Sequence, residues 1–272
     1  MKEKDKERLD ILLFERGLAE SREKAKRLIM GGKVIVDNQL VDKPGKLVSR
    51  NSNIRLKSQE KYVSRGGYKL EGAWKVFKFD IKGKTVCDIG ASTGGFTDFL
   101  LQKGAKKIFC IDVGYGQLHW KIRNDPRVVV LERTNARYIT SKHLGEKVDL
   151  VVCDVSFISI KKILPVIKNI LKDNGTAVIL IKPQFEAGKE NVGKGGIVKS
   201  KNVQKKVIND IINKSKEEGL CPIDLTFSPI KGSEGNIEFF LKLNLTPLCN
   251  TRIENMVDYI VETAWEVLGV EK

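Results

Sequence analysis

The sequence predicts a doubly wound α/β domain preceded by a small α+β module, and three observations predict it. The first is Thr85–Phe96, TVCDIGASTGGF, which runs from a β-prone apolar stretch through a glycine turn into an apolar helix-like run. The second is the alternation that follows, in which near-continuous apolar strands are separated by helical periods. The third is a change of pattern before residue 60, where short amphipathic helices and hairpin signals replace the long strands. A chain of 272 residues can bury a sizeable core in one or two domains.

Residues 6–57 read as the separate module. Leu9, Leu12 and Leu13 give a short amphipathic helix ended by Gly17. Ser21 is placed to cap a second helix with Ala25, Leu28 and Ile29 on its apolar face, stopped by Gly31-Gly32. Arg22 and Lys26 lie one turn apart on the other side, with Arg27 adjacent. A hairpin follows through Val34-Ile35-Val36, a turn at Asp37-Asn38, and Leu40-Val41. Pro44-Gly45 turns the chain again before Ile54-Arg55-Leu56.

The spacing of Arg8, Leu9, Leu12, Gly17, Ser21, Arg22, Ala25, Leu28, Ile29, Gly32, Val34, Val36 and Pro44 resembles the RNA-binding module named after ribosomal protein S4. Asn38-Gln39 stands where that module usually has an Asn-Gly turn. The resemblance implies RNA contacts from Arg8, Arg22, Lys26 and Arg27. A short basic helix can grip the phosphates of folded RNA by shape; an ordinary solvated helix face would have the same residues.

Residues 58–63 are polar and charged and read as a linker to a second domain at 64–272. Ser64 can cap a helix whose stripe is Leu70, Ala73, Trp74 and Phe77, with Lys69 off the stripe. Strands are expected at Thr85–Ile89, Lys107–Val113, Val128–Leu131, Val148–Val155 and Thr176–Ile181, with two more near Ile223–Phe227 and Ile237–Leu243. Helices fit around Thr97–Lys103, Ile160–Leu171 and Asn202–Glu218. A last one shows Ile253, Met256, Val257, Ile260, Val261, Ala264 and Leu268 on one side.

The spacing in the glycine turn bears on its ligand. A dinucleotide fingerprint needs G-x-G-x-x-G, whereas this turn reads D-x-G-x-x-x-G-G, from Asp88 through Gly90, Ala91, Ser92, Thr93, Gly94, Gly95 and into Phe96. That suits a ligand without pyrophosphate but with an ammonium and a sulfonium, such as S-adenosylmethionine. An acidic residue closing the next strand would bind its ribose hydroxyls, and Asp112 stands there. Asn135, after the third strand, is placed for an adenine contact or for a simple turn.

Bulk properties narrow the classes. The net charge is +15, and the first 60 residues hold 15 Lys and Arg against 10 Asp and Glu, so the surplus is spread along the chain. A nucleic-acid partner explains such a balance better than a membrane, since no apolar run approaches the ~20 residues of a spanning helix. The charged N-terminus is not a secretory signal. The cysteines at 87, 110, 153, 221 and 249 are not spaced for a metal knuckle and read as reduced core residues of a cytoplasmic protein. With His119 and His143 the only histidines, no metal site and no histidine triad is expected.

In a doubly wound sheet the site lies at the carboxyl ends of the strands. Asp154 closes the fourth long strand in CDVSFIS, Lys182 follows the fifth in LIKPQF, Glu238 heads the final strand in GNIEFF, and Lys69 sits on the helix leading into the first. Two lysines and two carboxylates at one cavity suit methyl transfer to a sugar hydroxyl. A lysine can take the hydroxyl proton if its pKa falls from about 10.4 toward roughly 7–8, which a neighbouring ammonium and partial desolvation favour. On position alone, two surface salt bridges would read the same way.

From Ser64 to about Leu243 the chain is similar to the FtsJ-like ribose methyltransferases, whose Lys-Asp-Lys-Glu tetrad matches Lys69, Asp154, Lys182 and Glu238. With the N-terminal module, the whole chain resembles the TlyA family, through SRGGYKL, DIGASTGGFTDFLLQKGA, DVSFIS, IKPQFEAG, GKGG and GNIEF. The resemblance implies a Rossmann-like class I methyltransferase sheet, mostly parallel with its last strand antiparallel. It also implies 2′-O-methylation of cytidine in ribosomal RNA, with S-adenosylmethionine as donor and ribosomal RNA or subunits as partner; a monomer is expected. Family members have also been called hemolysins, but nothing in the sequence resembles a pore.

Gln184–Ser200, rich in glycine and carrying Lys189, Lys194 and Lys199, reads as a loop that closes over RNA or is merely mobile. Ser64-Arg65-Gly66, joining the modules, is a candidate cofactor sensor. A pseudouridine synthase can carry the same N-terminal module but would not need the cofactor turn, and three further rival functions remain. A cytosine-carbon methyltransferase wants a nucleophilic Cys after Pro, and Cys221-Pro222 is reversed; amino-group methylation wants prolines that Asp154-Val155-Ser156-Phe157 lacks. The third is an RNA- or ribosome-binding protein with a vestigial cofactor pocket.

Overall fold

A computed structural model describes residues 5–57, 60–246, 249 and 253–269. The chain divides into two compact units, Met1–Glu60 and Lys61–Lys272. In the first unit the chain runs β1 (Lys6–Arg8), α1 (Leu9–Glu15), α2 (Arg22–Met30), β2 (Val34–Val36), β3 (Gln39–Val41), β4 (Leu47–Ser49) and β5 (Ile54–Leu56). Strand β2 lies between β3 and β5, and all three are antiparallel. Strands β1 and β4 pair separately, and sequence periodicity missed both because three residues are too few to show a period of two. Asp37 and Asn38 both take φ > 0, at 48° and 68°, so the hairpin turn keeps its two left-handed positions without glycine. Leu9, Leu12, Leu13, Ala25, Ile29, Val34 and Val41 fill the core. The Ser21 side chain accepts from Lys24 N at 3.1 Å, as its capping role requires.

The second unit starts with α3 (Arg65–Phe77), β6 (Thr85–Ile89), α4 (Gly95–Gln102), β7 (Lys107–Ile111), α5 (Trp120–Arg123), β8 (Val128–Leu131) and α6 (Ser141–Leu144). It continues with β9 (Val148–Cys153), α7 (Leu164–Ile170), β10 (Leu171–Ile181), α8 (Pro183–Glu186), α9 (Lys201–Glu217), β11 (Cys221–Phe227), β12 (Phe239–Asn244) and α10 (Ile253–Leu268). The sheet order is β11-β12-β10-β9-β6-β7-β8. From β10 to β8 every pair is parallel, and β12 runs antiparallel between β10 and β11. Two apolar layers cover the sheet. One is built on Ile89, Val151, Ile179 and Phe239, the other on Val86, Phe99, Leu150 and Phe240.

Three features differ from the sequence reading. Ser64 occupies the N-cap of α3, but its side chain makes no capping bond. Tyr62, in the stretch read as linker, is buried against Tyr68 and Phe99, with ring centroids 5.1 and 6.0 Å away. Cys221 and Cys249, read as reduced, are joined in a disulfide. The register explains the last point: Cys221 lies opposite Asn244 at the end of β12, so the departing chain passes beside it. Cys87, Cys110 and Cys153 are buried thiols. Among the described residues no helix is long and apolar enough to cross a membrane, and no cluster of His, Cys, Asp or Glu could hold a metal ion.

Gly67 sits in the first turns of α3 because the Tyr62 ring occupies the place of a side chain; a Cβ there would lie 2.2 Å from Tyr62 Cγ. Gly67→Ala in a helix would ordinarily gain about 1 kcal/mol. Here overpacking, worth about 1–3 kcal/mol, outweighs it. Thermal unfolding of the variant should show Tm lowered by about 3–8 °C.

Candidate active site

The site forms where the chain reverses its path through the sheet, beyond the carboxyl ends of β6 and β9. Gly90 leaves β6 with φ +82°, and a Cβ on it would lie 2.3 Å from the Asp154 carbonyl oxygen. Asp154 N in turn donates to Ile89 O at 2.9 Å. The glycine therefore lets the two strand exits touch.

Two adjoining cavities open there. One, of about 310 Å³, is lined by Gly90, Ala91, Ser92, Thr93, Gly95 and Phe96 from the turn, together with Lys69, Asp154, Lys182 and Glu238. The other, of about 550 Å³, is lined by Asp112, Asn135, Val113, Gly114 and Ile158 and shares Gly90 and Asp154. Gly94 and Asp88 line neither. Gly94 is the left-handed N-cap of α4. Asp88 lies wholly buried beneath the turn, accepting from Thr97 Oγ1 at 2.6 Å. Burial pushes its pKa up to about 7, against the hydrogen bond from Thr97.

The four tetrad residues form two ion pairs. Lys69 Nζ is 2.6 Å from Glu238 Oε2, with side chains 10% and 2% exposed. Lys182 Nζ is 2.5 Å from Asp154 Oδ1 and 2.9 Å from Ser156 Oγ. Burial raises the pKa of Glu238, while Lys69 and Lys182 pull it down. Asp112 accepts from Ser92 N at 2.8 Å and Gly114 N at 2.7 Å, which holds its carboxylate at the lip of the larger cavity. Asn135 accepts from Arg137 N at 3.1 Å, so it caps a short 3-10 turn while lining the same wall.

Sequence reasoning passed over Phe157, Gln184, Phe185, Ser233 and Glu234, all of which line the smaller cavity. Phe157 is 89% exposed, takes φ +62° and stands 5.2 Å from the Phe185 ring. An aromatic in DVSFIS, three residues after the Asp that follows β9, was the signal available. Lys189 and Lys194 are exposed and line neither cavity. The segment carrying them is hydrogen-bonded to the rest of the unit beyond Lys194, at Gly196 and Val198. Buried Asn236 donates to Gly196 O at 2.8 Å and accepts from Val198 N at 2.9 Å, and Gln204 donates to Val198 O at 3.1 Å. In the first unit, Arg8 and Arg22 both pair with buried Asp10, at 2.9 and 3.4 Å, and Lys26 pairs with Glu23 at 2.8 Å. Arg27 is exposed on the same helix.

This fold and this cavity define a methyltransferase. Residues 62–245 match the model of the FtsJ-like methyltransferases and residues 7–54 that of the S4 domain. The chain belongs to the FtsJ-like methyltransferase family, in its TlyA branch. It is 52% identical over 241 residues to YqxC of Bacillus subtilis, covering 88% of this chain and 86% of that one. It is 44% identical over 238 residues to the 16S/23S rRNA (cytidine-2′-O)-methyltransferase TlyA of Mycobacterium tuberculosis, covering 87% and 89%. A solved structure named as a hemolysin from Streptococcus thermophilus superposes with a TM-score of 0.75 at 41% identity, over 97% of each chain.

Asp88 ties stability to pH. Its folded value of about 7 lies above the ordinary 3.8, so the folded state keeps the proton longer than the unfolded chain does. Between those two values stability falls as pH rises. Asp88→Asn removes this dependence: on going from pH 4 to pH 8, its unfolding free energy should rise relative to wild type by up to roughly 4 kcal/mol. Denaturant titrations at the two pH values measure it.

Proposed function

We propose that the chain is an S-adenosylmethionine-dependent ribosomal RNA methyltransferase acting on a cytidine 2′-hydroxyl. The observation that carries this is the meeting of Lys69, Asp154, Lys182 and Glu238, as two ion pairs, in one cavity beside the glycine turn. The cofactor fits the larger cavity and its junction with the smaller one. Asp112 offers a fixed carboxylate to ribose hydroxyls, and the turn from Gly90 to Phe96 offers backbone to the amino-acid end. When bound, the cofactor supplies a methyl group already activated by a positive sulfur.

The chain's own residues supply alignment and a proton acceptor. Lys182 Nζ, steered by Asp154 and Ser156, accepts the proton of the attacking 2′-hydroxyl once it is the neutral amine, the ammonium form that pairs with Asp154 having first released its own proton to solvent. Lys69, locked by Glu238, fixes the hydroxyl from the other side of the cavity. Holding hydroxyl and donor in line supplies much of the remaining rate, and no covalent intermediate is needed. Phe157, held out on its turn, offers a face on which an unstacked base can lie. The relatives' action on cytidine in ribosomal RNA favours a ribosomal RNA or subunit as substrate. Arg8, Arg22, Lys26 and Arg27 form the proposed backbone contact, and Lys189 and Lys194 add charge in the second unit.

Lys182→Ala should lower methyl transfer to ribosomal RNA by about 10²–10⁴-fold while cofactor affinity, by calorimetry, stays within about threefold. Full activity in that variant rules the proposed base out. Asp112→Ala should weaken cofactor binding by about 10–100-fold, the worth of hydrogen bonds to a charged group. The pair Arg22→Ala and Lys26→Ala should weaken RNA binding and lower the slope of log K against log salt by about 1–2.

A further inference from the structure

Parallel pairing between β9 and β10 ends at Cys153 opposite Ile179. Beyond that point the sheet no longer holds the two chain exits together, yet the exits carry Asp154, Ser156 and Phe157 on one side and Lys182 and Phe185 on the other. Three contacts bridge them. Lys182 to Asp154 and Ser156 is the first, and Phe157 to Phe185 is the second. Both lie in the cavity itself. The third lies outside it. Glu186 Oε2 accepts from Ser159 Oγ at 2.7 Å, and Glu186 Oε1 accepts from Ile160 N at 2.6 Å.

We propose that Glu186 is a positioning residue for methyl transfer, clamping the Asp154–Ile160 turn against the Lys182–Glu186 segment so that Phe157 and Lys182 keep their separation. This deepens the reading given above and rests on it. Glu186 lines neither cavity, so it stands apart from the groups proposed to meet the hydroxyl and the cofactor.

Two further observations support the clamp. Phe157 has almost no packing of its own and takes a backbone conformation rare for an aromatic residue, so its place must be dictated from the ends of the turn. The N-terminal end is fixed by the bond from Asp154 N to Ile89 O, and Glu186 fixes the C-terminal end. The carboxylate also carries a cost. Burial is the largest influence on it and raises its pKa, the two hydrogen bonds oppose that rise, and Lys161 is the cation acting on it. Lys161 itself pairs with Asp210 at 3.7 Å. A packing role alone would be served better by an apolar side chain; a carboxylate is needed where two donors must be held at fixed points.

The test is steady-state methylation of ribosomal RNA by wild type, Glu186→Ala, Glu186→Gln, Phe157→Ala and the Glu186→Ala/Phe157→Ala double variant, with rates expressed per cofactor-binding site. Glu186→Ala should lower kcat by about 10–100-fold, the effect of roughly 1 Å of misplacement. Glu186→Gln keeps the volume and one acceptor, and should retain a several-fold higher kcat than Glu186→Ala. The double variant should be no worse than the poorer single variant, because both act through one turn. A kcat within twofold of wild type in Glu186→Ala, equal kcat in the Ala and Gln variants, or losses that multiply in the double variant overturns the proposal. A wild-type protein that leaves every cytidine 2′-hydroxyl unmethylated instead overturns the functional reading beneath it.

Discussion

The site depends on one close approach, that of Gly90 to the carbonyl of Asp154. Strands β6 and β9 run in register to Ile89 and Cys153, and the ladder extends one step further through Asp154 N to Ile89 O. At that step the two chains must part, one into the glycine turn and one into the Asp154–Ile160 turn. Any side chain at position 90 would sit on the Asp154 carbonyl. The left-handed backbone of Gly90 is thus what places the end of the turn beside an acid that belongs to another strand. Two cavities share those residues because the contact forms the wall between them.

The ionisable groups around that wall cost the fold stability. Glu238, Glu186 and Asp88 all have burial as the leading influence on their carboxyl groups, and all are raised by it. Lys69 and Glu238 are nearly out of water, where removing one member of such a pair costs about 3–5 kcal/mol but replacing both with apolar groups often costs nothing. Such a pair is weak evidence for stabilisation and better evidence for work at the site. Asp149, at the other end of β9, also has burial as its largest single influence, but the hydrogen bonds from Lys172 and Thr85 N, with the charges of Lys172 and Lys84, together outweigh it and lower its carboxyl.

Much of this was legible in the sequence because the strands of a covered parallel sheet are nearly continuous apolar runs and because glycine turns and strand-end charges break them visibly. Asp154, Lys182 and Glu238 could be placed at carboxyl ends or strand heads by that logic, and Asp112 by its distance from the turn. What stayed hidden needs register. Strands β1 and β4 are three residues each, and the pairing of Cys221 with Cys249 depends on which residue of β12 lies opposite Cys221. Asp88 reads as a ligand by position, but alternation along β6 says only that it faces one side of the sheet; that Thr97 closes over it emerges from packing. Glu186 was unreadable for a similar reason, since its role lies in contacts across 26 and 27 residues of chain, whereas Phe157 left the trace of an aromatic just beyond a strand end.

The first unit solves the opposite problem, keeping charge available instead of hiding it. Asp10 is as inaccessible to solvent as Asp88 but lies nearer the surface, covered by half-exposed arginines; Arg8 first and then Arg22 reach it, and its carboxyl is lowered despite burial. One acid therefore holds two guanidinium groups in set directions, while each arginine remains about half exposed. A guanidinium fixed in this way loses less rotational freedom when it meets a phosphate than a side chain swinging in water. Among the described residues no buried acid of this kind pairs with Arg27 or Lys26 on the same helix, and Lys26 is tethered to the exposed Glu23. In the proposed contact with folded RNA, Arg8 and Arg22 would therefore set orientation, and the helix's other cations would add attraction without direction.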